Sequence, residues 1–205
     1  MKFGSFEETD GSILLSRRTL LVGGMSVALA GCNSDTMETW SSYAPISGEV
    51  APQYRRRRVK YESREKPGTI IIDTSERYLY VVEENGMATR YGVGVGRAGF
   101  AWSGRARVGR KAKWPTWTPP PNMIRRQPEL KKYAGGMPGG PNNPLGARAL
   151  YLYRGGRDTL YRLHGTNQPA SIGRAMSSGC IRLLNSDVEH LYARTPVGTP
   201  VIVHA

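Results

Sequence analysis

One histidine and one cysteine, sixteen positions apart in residues 163–185, carry the chemistry legible in this chain. Cys180 follows Gly179 and precedes Arg182 by two positions; His164 lies upstream and is followed by Gly165. A thiol has a reference pKa of about 8.5 and is mostly protonated at neutral pH. A nearby imidazole that accepts its proton turns it into a nucleophile. Gly165, Pro169 and Gly173 let the intervening chain loop back, so His164 is the expected base and Cys180 the expected nucleophile. The Gly165 carbonyl is expected to fix the imidazole tautomer in place of the usual carboxylate. Gly179 permits a tight turn, and the N–H groups of Gly179 and Cys180 are expected to face a developing oxyanion. Ser177 is expected to brace that turn, and Ser178 to offer a further hydroxyl donor. Arg182 suits bidentate binding of a substrate carboxylate. These are the parts of an acyl-transfer site.

The elements that must position them are short strands. The chain has 205 residues, including 25 glycines and 14 prolines, which suits one loop-rich, largely β domain plus some non-globular chain. β-branched and aromatic runs at residues 69–73 and 78–82 flank a turn at 74–77. Asn85-Gly86 then supplies a hairpin signal before a strand at 87–95, completing an antiparallel meander. Further strands are expected at 105–112, 147–153, 159–163 and 201–203, the run at 159–163 delivering His164 at its end. Residues 115–146, crowded with Pro and Gly, read as a long surface loop. A short helix over the site is expected at 171–176. Ser186-Asp187-Val188-Glu189 matches a capping box opening a helix to about residue 194. The expected architecture is a mostly β sandwich or barrel with one or two short helices.

Residues 1–32 read as an export signal. Arg17-Arg18 precedes an apolar stretch over 20–30, too short to span a bilayer as a helix but suited to a signal core. The arginine pair resembles a twin-arginine signal, and Leu29-Ala30-Gly31-Cys32 resembles a lipobox, which implies cleavage before Cys32 and lipidation of its sulfur. Residues 33–66 show no sustained apolar period and read as a flexible basic tether containing the four-arginine run 55–58. The formal net charge is +13, and charges within 1–32 cancel, so the exported chain would favour anionic partners in the envelope. Nucleic acid would be the usual partner for this charge, but the export signal argues against it. Two cysteines could form one disulfide, but the separate roles of Cys32 and Cys180 argue against a bridge.

His164-Gly165-Thr166, a spacer, then Ser177, Gly179, Cys180, Ile181 and Arg182, followed by Leu183-x-Asn185-x-Asp187, resemble the L,D-transpeptidase (YkuD) catalytic domain over residues 67–205. The departure is Ser178, where that family usually has a second histidine. The resemblance implies attack of cysteine on the diaminopimelate–D-alanine bond of a peptidoglycan tetrapeptide stem. A thioester then passes to an amine acceptor, typically another diaminopimelate, giving a 3→3 cross-link. Transfer to water or to an envelope protein's amine would use the same residues, and a wall-binding lipoprotein with an inactive site is the non-enzymatic alternative. Papain-like and NlpC-type peptidases fit poorly, because there the cysteine precedes the histidine. No cofactor or metal is expected, since His190 and His204 read as structural or solvated and a closed zinc site needs about four ligands. Trp114, Trp117, Tyr151 and Tyr153 divide between core packing and a substrate groove. Peptidoglycan stems are the expected partners, with a membrane contact through lipid on Cys32. The expected location is the periplasm or cell envelope, and the expected state a monomer.

Overall fold

A computed structural model describes residues 49–98, 100 and 102–205. The leader, Cys32 and the first part of the expected tether lie outside the described residues. Eleven strands form the frame: β1 (Arg57–Lys60), β2 (Ile70–Asp73), β3 (Tyr78–Val82), β4 (Met87–Gly92), β5 (Val95–Gly96), β6 (Gly104–Lys113), β7 (Arg148–Arg154), β8 (Arg157–His164), β9 (Ala175–Ser177), β10 (Ile181–Arg182) and β11 (Pro200–His204). Among the described residues the α-helices are α1 (Pro121–Arg126) and α2 (Asn185–Arg194). The fold is therefore mostly β, as the strand-like runs and Gly/Pro content implied.

Nine strands make one sheet in the order β1-β4-β3-β2-β11-β6-β7-β8-β10, and β5 pairs with β9 beside it. The meander β2-β3-β4 is antiparallel, and its β3–β4 turn uses Asn85 and Gly86 at φ 58° and 65°. Two successive positive φ values are what a two-residue hairpin turn requires, hence Asn-Gly. The sheet curls until β10 meets the chain leaving β4. Gly94, just past β4, exchanges both backbone hydrogen bonds with Arg182 of β10, at 2.9 and 2.8 Å. Inside the curl lie Ile70, Ile72, Leu79, Tyr91, Val108, Leu150, Leu152, Leu163, Ile181 and Val201, closed off by Val188 and Leu191 of α2. The outer face of β2–β4 carries a second cluster around Ile71, Tyr80, Val82 and Ala88. β2 is thus apolar on both faces, which explains its unbroken Ile-Ile-Ile run.

Three expectations need correction. The tether ends earlier than expected, because Arg57–Lys60 pairs antiparallel with β4 as an edge strand. Its arginines are held individually: Arg56 contacts Asp187 at 3.1 Å and Arg58 contacts Glu83 at 2.6 Å. Residues 115–146 are not a bare loop. They contain α1 and a 3₁₀ turn (Pro128–Tyr133), with a small core of Trp117, Met123 and Leu130. Buried Asn143 ties this insert together, its amide donating to the carbonyls of Pro115, Met137 and Pro138 at 3.0–3.1 Å. Residues 171–176 do not form a helix. A 3₁₀ turn (Pro169–Ser171) leads into β9, which pairs in parallel with β5. Gly173 there adopts φ 83°, with the Tyr54 ring against its α-carbon, a conformation no helix accommodates. The helix expected after residue 186 is present as α2, but its N-cap is Leu184 and makes no side-chain capping bond.

Candidate active site

Strand pairing brings the two ends of the motif together. β8 and β10 run parallel with Leu163 opposite Ile181 and His164 opposite Arg182. Side chains alternate across a strand, so Leu163 and Ile181 enter the core while His164 and Arg182 share the other face. Cys180, one residue before Ile181, falls on the His164 face beside Arg162. The 15-residue excursion between them is held by Gly173 N–H donating to the Val93 carbonyl and by β9 against β5.

His164 is 4% exposed, and its Nδ1 donates to the Gly165 carbonyl at 2.6 Å. A carbonyl only accepts, so Nδ1 carries the proton and Nε2 keeps its lone pair. Burial, reinforced by the positive charge of Arg182, lowers the imidazole pKa to about 3, against a smaller opposing effect of the Gly165 carbonyl. At neutral pH the ring is a neutral base of fixed tautomer. Gly165 itself lies against Asn185, whose Oδ1 accepts the Ala147 N–H at 2.9 Å and so ties α2 to the start of β7.

The nucleophile turn is built around Ser177. Its hydroxyl donates to the Cys180 carbonyl at 2.6 Å and accepts the Gly179 N–H at 3.1 Å. The Gly179 N–H expected at an oxyanion is therefore engaged within the turn, which leaves the Cys180 N–H as the backbone donor of that pair. Gly179 sits at φ 110°, where a β-carbon would lie 2.6 Å from the Tyr161 ring and 2.9 Å from the Phe100 carbonyl. Ser178 is half-buried at the apex.

The Cys180 thiol rests against β8. Its Sγ donates to the Leu160 carbonyl at 3.8 Å and faces the Arg162 backbone N–H. Sγ and the imidazole share a face but no hydrogen bond in this resting arrangement. A bulge in the β7–β8 pairing between Tyr151 and Tyr153 turns Leu160 to φ 64° and aims its carbonyl at the sulfur. Asp158 and Thr159 side chains accept the Leu160 and Tyr161 N–H groups displaced by the bulge, at 2.8 and 3.2 Å. Burial pushes the Cys180 thiol above its ordinary value, while Arg162 and Arg182 pull the other way. The resting pair is neutral thiol and neutral imidazole.

Arg182 does not occupy the place expected of a substrate clamp. It is 5% exposed, lies beside His164 in the β8–β10 register and donates to Gln168 Oε1 at 3.0 Å. Burial of the motif arginine makes it a brace for the loop and an electrostatic neighbour of the base. Among the described residues no group of three His, Cys, Asp or Glu converges in a metal-ligating arrangement.

The L,D-transpeptidase catalytic-domain profile, YkuD, matches residues 67–203. The chain belongs to this family. A candidate L,D-transpeptidase of Fuscovulum blasticum, ORF 5 of its ATP synthase subunits region, is 32% identical over 92% of this chain and 97% of its own. The probable L,D-transpeptidase ErfK/SrfK of Escherichia coli K12 is 37% identical over 138 residues, 64% of this chain. This stretch spans only 42% of that relative's length. A crystal structure from Brucella melitensis, described as a probable carnitine operon oxidoreductase, is 46% identical with a TM-score of 0.53. It is matched over 76% of this chain and 96% of its own.

Within this L,D-transpeptidase domain the aromatic residues separate by role. Trp117 is 8% exposed in the insert core, and Tyr151 is 6% exposed under two arginines, so both are packing residues. Trp114 is 46% exposed at φ 43°. The aromatic pair nearest the nucleophile was not anticipated. Trp102 stacks on Tyr161, centroids 4.8 Å apart, and Tyr161 touches Gly179. Nothing in residue type or period marked it, because residue 102 lies between strands.

Proposed function

We propose that this chain is a peptidoglycan L,D-transpeptidase whose nucleophile is Cys180 and whose base is His164. His164 Nε2 takes the thiol proton as Sγ attacks the carbonyl carbon of the diaminopimelate–D-alanine bond. The carbon–nitrogen bond breaks, the amine of D-alanine leaves with the proton held by the imidazole, and a thioester remains on Cys180. An amine of an acceptor stem attacks that thioester, gives up a proton to His164, and returns the sulfur as thiolate, to be reprotonated. The Cys180 N–H is the backbone donor for the tetrahedral oxyanion.

The observation that carries this reading is the Nδ1–Gly165 hydrogen bond, which leaves Nε2 as an acceptor on the same face as Cys180. Family membership supports it. The net charge of +13 supports a carboxylate-rich substrate. Residues 1–32 then serve export to the envelope, with Cys32 as the site of lipid attachment. Incubation with a disaccharide tetrapeptide tests the reaction. Released D-alanine and a 3→3 dimer are expected, both lost in Cys180→Ala. Tripeptide without dimer would assign water as the acceptor, and unchanged tetrapeptide would remove the enzymatic reading.

A further inference from the structure

Four residues form a row across the sheet. Arg110 of β6 pairs with Tyr151 of β7, Tyr151 pairs with Arg162 of β8, and the parallel register carries the row on to Cys180. Buried Tyr151 lies between two guanidinium groups, Arg110 at 3.5 Å and Arg162 at 4.5 Å from its ring centroid. Asp158 grips the Arg162 guanidinium with both oxygens, at 2.8 and 3.0 Å. Asp158 belongs to the bulge that aims the Leu160 carbonyl at Sγ. A long side chain held by an aromatic face and a bidentate carboxylate has lost its rotamer freedom, so its charge has a fixed place. Arg162 is the β8 residue beside Cys180 in the β8–β10 register and its charge favours the thiolate, whereas Arg182 donates to Gln168.

We propose that Arg162 is a positioning residue that stabilises the Cys180 thiolate, and that Asp158 sets how much of its charge the sulfur experiences. This rests on Cys180 being the nucleophile. The charged and titratable groups facing the sulfur are Arg162, Asp158 and His164 of β8 and Arg182 of β10. Arg110 lies over the Tyr151 ring, and the Tyr161 ring borders Gly179. Arg162 and Asp158 oppose one another at the thiol, Arg162 favouring the thiolate and Asp158 disfavouring it. In a purely structural brace, removing either partner loosens the same bulge and acts in one direction. A charge role separates them by sign.

The test is the pH dependence of Cys180 alkylation by iodoacetamide in the full chain carrying Cys32→Ser, with melting curves to verify folding. This readout needs no transpeptidation, so it stands or falls apart from the proposed reaction. Arg162→Gln is expected to raise the alkylation midpoint by about one pH unit, roughly a tenfold slower reaction at neutral pH. Arg162→Lys, which keeps the charge, restores most of that loss. Asp158→Asn lowers the midpoint and speeds the reaction. Should Arg162→Gln fail to fold, Asp158→Asn decides alone. Midpoints that move together, or an Asp158→Asn midpoint that stays or rises, would overturn the proposal.

Discussion

His164 and Gly165 are joined by a hydrogen bond between the ring Nδ1 and the next residue's own carbonyl, at 2.6 Å. A residue thus orients its base through its neighbour's backbone, with no carboxylate needed. His164→Gln removes the acceptor at Nε2 without opening a large cavity. It is expected to slow acylation of Cys180 by about 10²–10⁴-fold, the usual scale of general-base loss. Alkylation of the same variant well above the thiol's raised pKa should remain close to that of the parent, because hydroxide then removes the proton. Equal losses in both assays would count against a base role.

The same imidazole makes stability depend on acid. Its folded pKa is lowered to about 3 by burial, whereas an unfolded histidine titrates near 6.5. Between those values the unfolded chain binds the extra proton, so stability is lost as pH falls from about 6.5 toward 3. The full gap corresponds to at most ~5 kcal/mol. Depressed carboxylates such as Asp73 and Glu83 add acid sensitivity of the same sign. The informative comparison is therefore the melting temperature of the parent and His164→Gln from pH 7 to pH 4. The variant's curve should be flatter, and parallel curves would refute a buried neutral ring.

Gly179→Ala introduces a β-carbon 2.6 Å from the Tyr161 ring at a backbone φ of 110°. Either Tyr161 or the nucleophile turn must shift, and displacement of a reacting atom by about 1 Å costs on the order of 100-fold. Loss of at least that size in acylation rate is expected, with little change in melting temperature because the turn lies outside the core. Combining it with Tyr161→Ala should restore part of the rate if the clash is the cause.

Arg56 offsets a buried carboxylate. Asp187 is 4% exposed, burial raises its pKa, and Arg56 at 3.1 Å opposes that rise. Arg56 is one-third exposed, so solvent discounts the pair. Arg56→Met is expected to lower stability by about 1–3 kcal/mol at neutral pH, since it leaves the charge of Asp187 unpaired. Adding Asp187→Asn should recover much of it, and denaturant unfolding of the two variants measures the difference.

Local pattern reached far into this fold. Tyr78–Val82 emerges with the bounds its aromatic and β-branched run implies, because both of its faces are covered. Asn85-Gly86 names its own turn. The run ending in Leu163 places His164 at a strand end because alternation and length fix where β8 must stop. Contacts distant in sequence were not legible. Arg182 reads as a solvent-facing clamp until Gln168, fourteen residues earlier, is folded beneath it. Arg57–Lys60 reads as solvated chain because its partner strand lies about thirty residues on and its side chains stay largely exposed. The insert's core needs only Trp117, Met123 and Leu130, too few apolar positions to stand out among so many prolines and glycines.

The proposed reaction passes through a covalent acyl-enzyme between Cys180 and the peptide donor. Intact-protein mass spectrometry on the chain lacking residues 1–32, quenched in acid during incubation with disaccharide tetrapeptide, detects this species. The expected result is an adduct equal to the donor minus D-alanine, mapped to Cys180 and absent from Cys180→Ala. An unmodified Cys180 while D-alanine is released, or release that persists in Cys180→Ala, would contradict it.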